Sequence, residues 1–345
     1  MSTREAPAYD SLLVVSFGGP EAPEHVLPFL ENVLRGRNVP RARMLEVAEH
    51  YYRLGGVSPL NGQVRAMIAA LEKLLAEQGP RLPIYWGNRN WHPMLADTIA
   101  QMAADGRKHA LAFVNSGYSS YSSCRQYREN IAAALESVGP AAPRIDKLRA
   151  FYNHPRFIEA TVDRVREAIQ RVPEPRRSNL RLVFTAHSIP TAMAANCRYA
   201  AQLEETCRLI SAAWPNYAWR LVYQSRSGPP AQPWLGPDVN EHLAELAAAG
   251  MRDVVIAPIG FVSDHMEVLY DLDTEAKATC ERLGIDMQRA ATVGTHPAFI
   301  AMIRDLILER MNPALPHCAV GNDGPSHDFC PVNCCLPAQA AAPAP

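Results

Sequence analysis

Three groups of residues in this chain have the types and spacing to do chemistry. The first is His187, in Ala186-His187-Ser188-Ile189-Pro190, directly after the apolar run Leu182-Val183-Phe184. An imidazole with a pKa of about 6.5 accepts a proton at neutral pH. The second is a row of carboxylates, Glu267, Asp271 and Glu275, at intervals of four. On an α-helix they share one face and, at about 1.5 Å per residue, span roughly 12 Å. That exceeds one metal site and suits a path along which hard oxygens pass a divalent cation. The third is the set Cys318, Cys330, Cys334 and Cys335, half of the chain's 8 cysteines, gathered near its end. Such clustering points to a metal.

Each group also has a plainer reading. The acidic row fits a solvated helix face, and His187 fits a satisfied core histidine or a helix cap. The four thiols fit a reduced tail, or a structural zinc, although only Cys330-x3-Cys334 has zinc-like spacing.

The elements that must position these residues alternate. Apolar runs at 11–17, 82–88 and 109–116 read as strands, with helices at about 24–34, 42–53, 62–78, 94–105 and 122–138. The breaker Gly139-Pro140-Ala141-Ala142-Pro143 follows. A helix at 155–171 and a polar Pro-rich linker lead to strands at RLVFTAH, RLVYQS and VVIAPIGF. Alternating β and α segments imply parallel sheets, here two doubly wound lobes with a cleft between them and no repeat at the level of sequence. Ligands of such sheets bind beyond the C-terminal ends of the strands. Ser16-Phe17-Gly18, His187-Ser188 and Phe261 to His265 occupy those ends. Ser263 is placed to cap the acidic helix, with Asp264 in its first turn. No G-x-G-x-x-G follows the first strand and no P-loop motif occurs, which argues against dinucleotide and nucleotide chemistry.

The 345 residues suit two domains, expected at 1–150 and 151–315, with a cysteine tail at 316–345 ending in low-complexity AQAAAPAP, expected to be disordered. A net charge of -1 argues against a nucleic-acid partner. The polar start and the lack of a long apolar run predict a cytoplasmic protein without integral membrane association.

The motifs SFGGP, GGVSPL, TAHSIP, QSRSG with PWLGPD, and PIGFVSDHMEVLYDLDTEA, in that order over about residues 12–310, together resemble ferrochelatase, which inserts ferrous iron into a porphyrin. The resemblance implies two Rossmann-like lobes of the class II chelatase type with the porphyrin between them. It gives His187 the pyrrole protons and Glu267 a metal or proton-relay role. Asp271 and Glu275 complete the acidic row, and all four residues are candidate metal contacts. Trp234 matches the tryptophan of the family's PWLGP segment. Arg35, Arg37, Tyr51 and Ser58 fall in the segment that holds propionates in relatives, with Arg89 and Tyr118 as weaker candidates. Phe17 stands where some relatives have a tyrosine or methionine, and a phenyl ring cannot ligate iron.

The segment before GGVSPL lacks the long apolar lip of animal enzymes, which resembles the soluble bacterial enzymes that metallate coproporphyrin III. Coproporphyrin III is therefore the expected substrate, ahead of protoporphyrin IX, with Fe2+ as co-substrate and a monomer as the expected state. The tail resembles those of actinobacterial ferrochelatases, some of which bind a [2Fe-2S] cluster. That implies a cluster on Cys318, Cys330, Cys334 and Cys335, with Cys124 as the substitute for one of them. A cobalt or nickel chelatase of another tetrapyrrole, and a porphyrin carrier without chemistry, are the alternatives.

Overall fold

The computed structural model describes residues 8–36, 39–229 and 231–338. Arg37 and the last residues of the low-complexity tail lie outside them. The first sheet contains β1 (Ser11–Ser16), β2 (Ile84–Asn88), β3 (His109–Val114) and β4 (Arg144–Lys147), all parallel, in the order β2-β1-β3-β4. Its helices are α1 (Val26–Leu34), α2 (Arg41–Arg53), α3 (Leu60–Gln78), α4 (Leu95–Ala104) and α5 (Gln126–Val138). The second sheet contains β5 (Arg181–His187), β6 (Trp219–Gln224), β7 (Asp253–Ala257) and β8 (Asp286–Arg289), also parallel, in the order β6-β5-β7-β8. Its helices are α6 (Pro155–Arg171), α7 (Thr191–Ala194), α8 (Tyr199–Ser211), α9 (Val239–Ala248), α10 (Met266–Val268), α11 (Lys277–Leu283) and α12 (Pro297–Met311). The two orders are the same pattern, so the lobes share one topology.

The central strands are buried on both faces, which is why they read as unbroken apolar runs. β1 is buried at every position. The edge strands β4 and β8 read RIDK and DMQR, and their polar sequences carried no strand signal. β2 and β6 are edges too but keep apolar runs; β4 and β8 are four-residue edges with no fully buried position, so the pattern fails there.

Alternate residues of the central strands divide between different cores. Leu13 and Val15 face α4 and α5, and Val183 faces α9 and the acidic helix. Leu12, Val14, Phe113, Leu182, Phe184 and Val255 instead enter one continuous core that α3, α6 and α12 fill from both lobes. The lobes are two sheets, but their shared core is single. Phe299 of α12 sits in it, edge-on to Phe113 at 6.3 Å and Phe151 at 6.0 Å.

Helices α6 and α12 begin with HPRFI and HPAFI, a short repeat that the reading of the sequence passed over. Each histidine caps its own helix by accepting an amide two residues on, from Arg156 and from Ala298. Each also reaches an aspartate of the other helix: His296 Nε2 lies 3.3 Å from Asp163, and His154 Nε2 3.9 Å from Asp305. This reciprocal pairing marks an approximate twofold relation between α6, which follows β4, and α12, which follows β8.

Because Phe299 joins both lobes, Phe299→Ala should remove about 3–5 kcal/mol of stability. Denaturation followed by far-ultraviolet circular dichroism and tryptophan fluorescence should show coincident transitions at lower denaturant. Two separated transitions would mean that the lobes unfold independently.

Candidate active site

In each sheet the order reverses beside its first strand, between β1 and β3 and between β5 and β7. Loops leaving the two strands diverge there and open a crevice. In the second lobe His187 is the last residue of β5, and the loop after β7 leads to the acidic helix. That loop crosses the end of β5 at very short range. Gly260 donates its N–H to the Thr185 carbonyl at 3.1 Å, and a Cβ at Gly260 would stand 2.7 Å from Ala186 Cα. Only glycine permits this approach, and it brings Glu267 to His187.

His187 Nε2 lies 3.4 Å from Glu267 Oε2, with the side chains 34% and 51% exposed. His187 Nδ1 is 2.5 Å from the Ser188 carbonyl, which can only accept, so the Nδ1 proton is donated there and Nε2 is left for exchange. The His187 carbonyl accepts the Tyr199 hydroxyl at 3.0 Å. Desolvation by the cleft walls opposes charge on His187. The Glu267 carboxylate and its hydrogen bond, with the Ser188 carbonyl, outweigh it and raise the imidazole pKa above its ordinary value. Desolvation likewise opposes charge on Glu267, but His187 and then His265 hold its carboxyl down at about 2.

The helix start differs from expectation. His265, not Ser263, is the cap, and its Nδ1 accepts the Glu267 amide at 3.2 Å. Ser263 Oγ instead accepts from Asn115 of the first lobe at 3.3 Å, and Gln63 of that lobe accepts the Asp264 amide at 2.8 Å. Asp264 pairs with Arg289. The acidic segment is not a regular α-helix either. A π-helix, Leu269–Ala276, lies between α10 and α11. Its wider turn keeps Glu267, Asp271 and Glu275 along one face, and such insertions concentrate at functional sites.

Asp271 is half-buried and accepts from the Gln224 side chain at 3.2 Å and from the Ser225 hydroxyl. Ser225 stands in the left-handed region at φ 62°, an uncommon conformation for serine that turns its hydroxyl onto Asp271. Desolvation pushes the Asp271 carboxyl up to about 7, against the Ser225 bond and with the repulsion of Glu267. Glu275 ends the row at the surface. There Tyr270 stacks on His50 of α2 at 3.9 Å and 6°, which joins the lobes at the outer end of the row.

The remaining candidates scatter. Tyr51 of α2 lies near enough to Glu267 for that carboxylate to raise its hydroxyl pKa, after desolvation. Phe17 follows β1, 36% exposed, edge-on to Phe29 at 6.1 Å with the Arg89 guanidinium 5.6 Å from its ring. Arg35 is exposed at the end of α1 and bonds Asn32. Ser58 is buried in a turn against Gly19, and its oxygen accepts the Leu60 amide at 3.4 Å. Trp234 bridges to Pro190 and lines a cavity of about 380 Å³ with Ser188, Tyr223 and Arg226. Tyr118 corrects its sequence reading. It is 1% exposed and donates to the Ile259 carbonyl at 3.0 Å, so it is a core residue with no face toward a substrate.

The tail cysteines divide. Ligand atoms of His327, Cys330 and Cys334 lie within 4.8 Å of one another, and Cys334 and Cys335 Sγ are 3.5 Å apart. The Cys124 thiol hydrogen-bonds Cys330, and that bond, with Lys147 and Arg128, draws the Cys330 thiol down to about 6. Arg125 fixes the loop by donating to the Val332 and Cys334 carbonyls at 2.7 and 2.9 Å. Cys318 belongs to another group, beside His154 and Glu309. The geometry therefore gathers Cys124 with Cys330, Cys334 and Cys335 and sets Cys318 apart. Tyr199, Ser225 and the His50–Tyr270 pair have places in these sites that the sequence did not signal, because each acts through a tertiary contact.

Comparison with known proteins gives the same picture. The ferrochelatase family model matches residues 9–311. The chain is 57% identical to a ferrochelatase of Rhodopirellula baltica, over 96% of this chain and 95% of that one. It is 51% identical to a coproporphyrin III ferrochelatase of Streptomyces coelicolor, over 99% and 96%. Among solved structures, SirB from Bacillus subtilis with Fe3+ shares the fold, with a TM-score of 0.54 at 15% identity over 87% of this chain and 96% of that one. The chain belongs to the ferrochelatase family.

Proposed function

We propose that this protein inserts ferrous iron into coproporphyrin III and releases two protons. The observation that carries this reading is the His187–Glu267 pair at 3.4 Å, set at the switch point with Asp271 behind it. The relatives named coproporphyrin III ferrochelatases, at 44% to 51% identity, support the choice of porphyrin. Among the described residues no helix is long and apolar enough to cross a membrane.

Metallation removes a proton from each of two pyrrole nitrogens as both pyrrole lone pairs bind the metal. His187 Nε2 accepts those protons in turn. Glu267, ionised at any pH above about 2, stabilises the imidazolium that forms and faces the incoming dication. Asp271, at about 7, is matched to pass protons on at neutral pH. Glu275 delivers them to the surface. Phe17 offers an apolar face to the ring and no ligand to the iron.

The tail chemistry fits a [2Fe-2S] cluster on Cys124, Cys330, Cys334 and Cys335. Four thiols gather, one already lies near 6, and Arg125, Arg128 and Lys147 supply positive charge around them. Such a cluster would cross-link the tail to the first lobe.

Under anaerobic conditions, His187→Ala should slow coproporphyrin III metallation about 10²- to 10⁴-fold while sparing porphyrin binding. Unchanged turnover would sink the proton-acceptor role. Only the neutral imidazole accepts a proton, so kcat/KM should fall as pH drops through a pKa raised above the ordinary histidine value. Glu267→Gln removes the carboxylate that raises it, so the acid limb of the pH–rate profile should move to lower pH. A shift the other way would contradict the pairing. Cys124→Ser should abolish the visible cluster absorbance of purified protein and Cys318→Ser should retain it. The reverse pattern would restore Cys318 as a ligand.

A further inference from the structure

The segment 196–199, which leads into α8, joins the cysteine tail to the catalytic histidine. Asn196 Nδ2 donates to the Pro337 carbonyl at 3.1 Å. Arg198 pairs with Asp323 at 3.0 Å. Tyr199, 4% exposed, then turns inward and donates its hydroxyl to the His187 carbonyl at 3.0 Å. Asn196 and Arg198 hold the tail, and Tyr199 holds the active site.

We infer that Tyr199 positions His187 for proton transfer, and that docking of the tail onto residues 196–198 sets the position of Tyr199. This rests on the reading of His187 as proton acceptor. The carbonyl that Tyr199 holds belongs to the peptide joining His187 to Ser188. The amide of the same peptide donates to the Gln224 carbonyl at 2.8 Å, and the next carbonyl receives the imidazole Nδ1 proton. The direction of Nε2 is therefore set by the tilt of this peptide. Tyr199 is the side chain that fixes that tilt from the β5 end. A base misaligned by a fraction of an ångström loses rate without losing substrate.

The tail is suited to exist in a docked and a released state. Its contacts are mainly hydrogen bonds and ion pairs: Asn322 to Glu205 of α8, Asp323 to Tyr152 and Arg198, and Gly324 to Asn153. Its large apolar side chains Phe329 and Val332 are mostly exposed. An element held by polar contacts with little apolar burial opens well before the core. Metal loading of the cysteines would bias it to the docked state, because a ligand that binds only one state stabilises it.

The test compares wild-type protein with Tyr199→Phe, with the exposed pair Asn196→Ala/Arg198→Ala, and with the triple variant. Five quantities are measured: kcat and KM for anaerobic coproporphyrin III metallation, porphyrin Kd by fluorescence quenching, and amide hydrogen exchange over 185–190 and over 318–336. Tyr199→Phe should lower kcat about fivefold, the worth of one hydrogen bond, with KM and Kd unchanged and faster exchange over 185–190. The tail-releasing pair should speed exchange in both segments and lower kcat by a similar factor. The triple variant should lose no more than Tyr199→Phe alone.

The inference is overturned if the pair frees the tail yet leaves kcat and the 185–190 exchange at wild-type values. Multiplying losses in the triple variant, or unchanged tail exchange in the pair, overturn it equally. Should Tyr199→Phe fail to fold, the exposed pair still decides. His187→Ala separates the two levels. Wild-type turnover in that variant removes the base itself. An inactive His187→Ala beside a fully active Tyr199→Phe removes only the positioning role.

Discussion

The close passage of the Gly260 loop over the end of β5 is the constraint on which the site depends. Two parallel strands that part at a switch point ordinarily send their loops in opposite directions. Here the loop after β7 lies against Ala186 with no room for a side chain, and the chain then turns to present Glu267 to His187. The ion pair follows from that backbone contact. So do the opposed shifts of the two groups, since the same attraction raises the imidazole pKa and lowers that of the carboxyl.

The acidic row gains its function from different surroundings more than from its spacing. Glu267 faces His187 and stays ionised. Asp271 is desolvated between Ser225, Gln224 and two other carboxylates, and titrates near neutrality. Glu275 reaches the surface beside the His50–Tyr270 stack. Glu267 and Asp271, on one face, thus differ in proton affinity, which a uniformly solvated acidic face would not achieve. The π-helix makes this possible, because the wider turn keeps the row aligned while Leu272 and Ala276 remain in the core.

Much of this was legible in the sequence. Central strands buried on both faces must be apolar throughout, so β1, β3, β5 and β7 announced themselves, and so did His187 at a strand end. The edge strands β4 and β8 escaped because they are four residues long, polar and nowhere fully buried, whereas the edges β2 and β6 keep apolar runs. The spacing of Glu267, Asp271 and Glu275 gave the face but not the π-helix, since i, i+4 intervals satisfy both helix types. Ser263 looked like a cap because its residue type suits one. His265 took the role once the first lobe had engaged Ser263 and the backbone of Asp264. Tyr118 looked polar enough for a cleft, but its hydroxyl found a carbonyl inside the core. The cysteine grouping turned on the fold, which carries Cys124 to the tail and leaves Cys318 beside Glu309.

The equivalence of the two lobes makes the asymmetry of the cleft informative. β1 and β5 hold the same place in their sheets, and pairing sets Ser16 against Asn88 where it sets His187 against Gln224. The first lobe thus offers neutral groups at its strand ends, with Phe17 beyond them, and the second offers the ionisable ones. The acid–base pair is therefore confined to one wall of the crevice, and the other presents Phe17 with the Arg89 guanidinium over its ring. The lobes are also held together by a single core, which keeps the distance between those walls fixed. Adjustment is therefore left to elements outside that core: α2, the π-helix that stacks against it, and the tail.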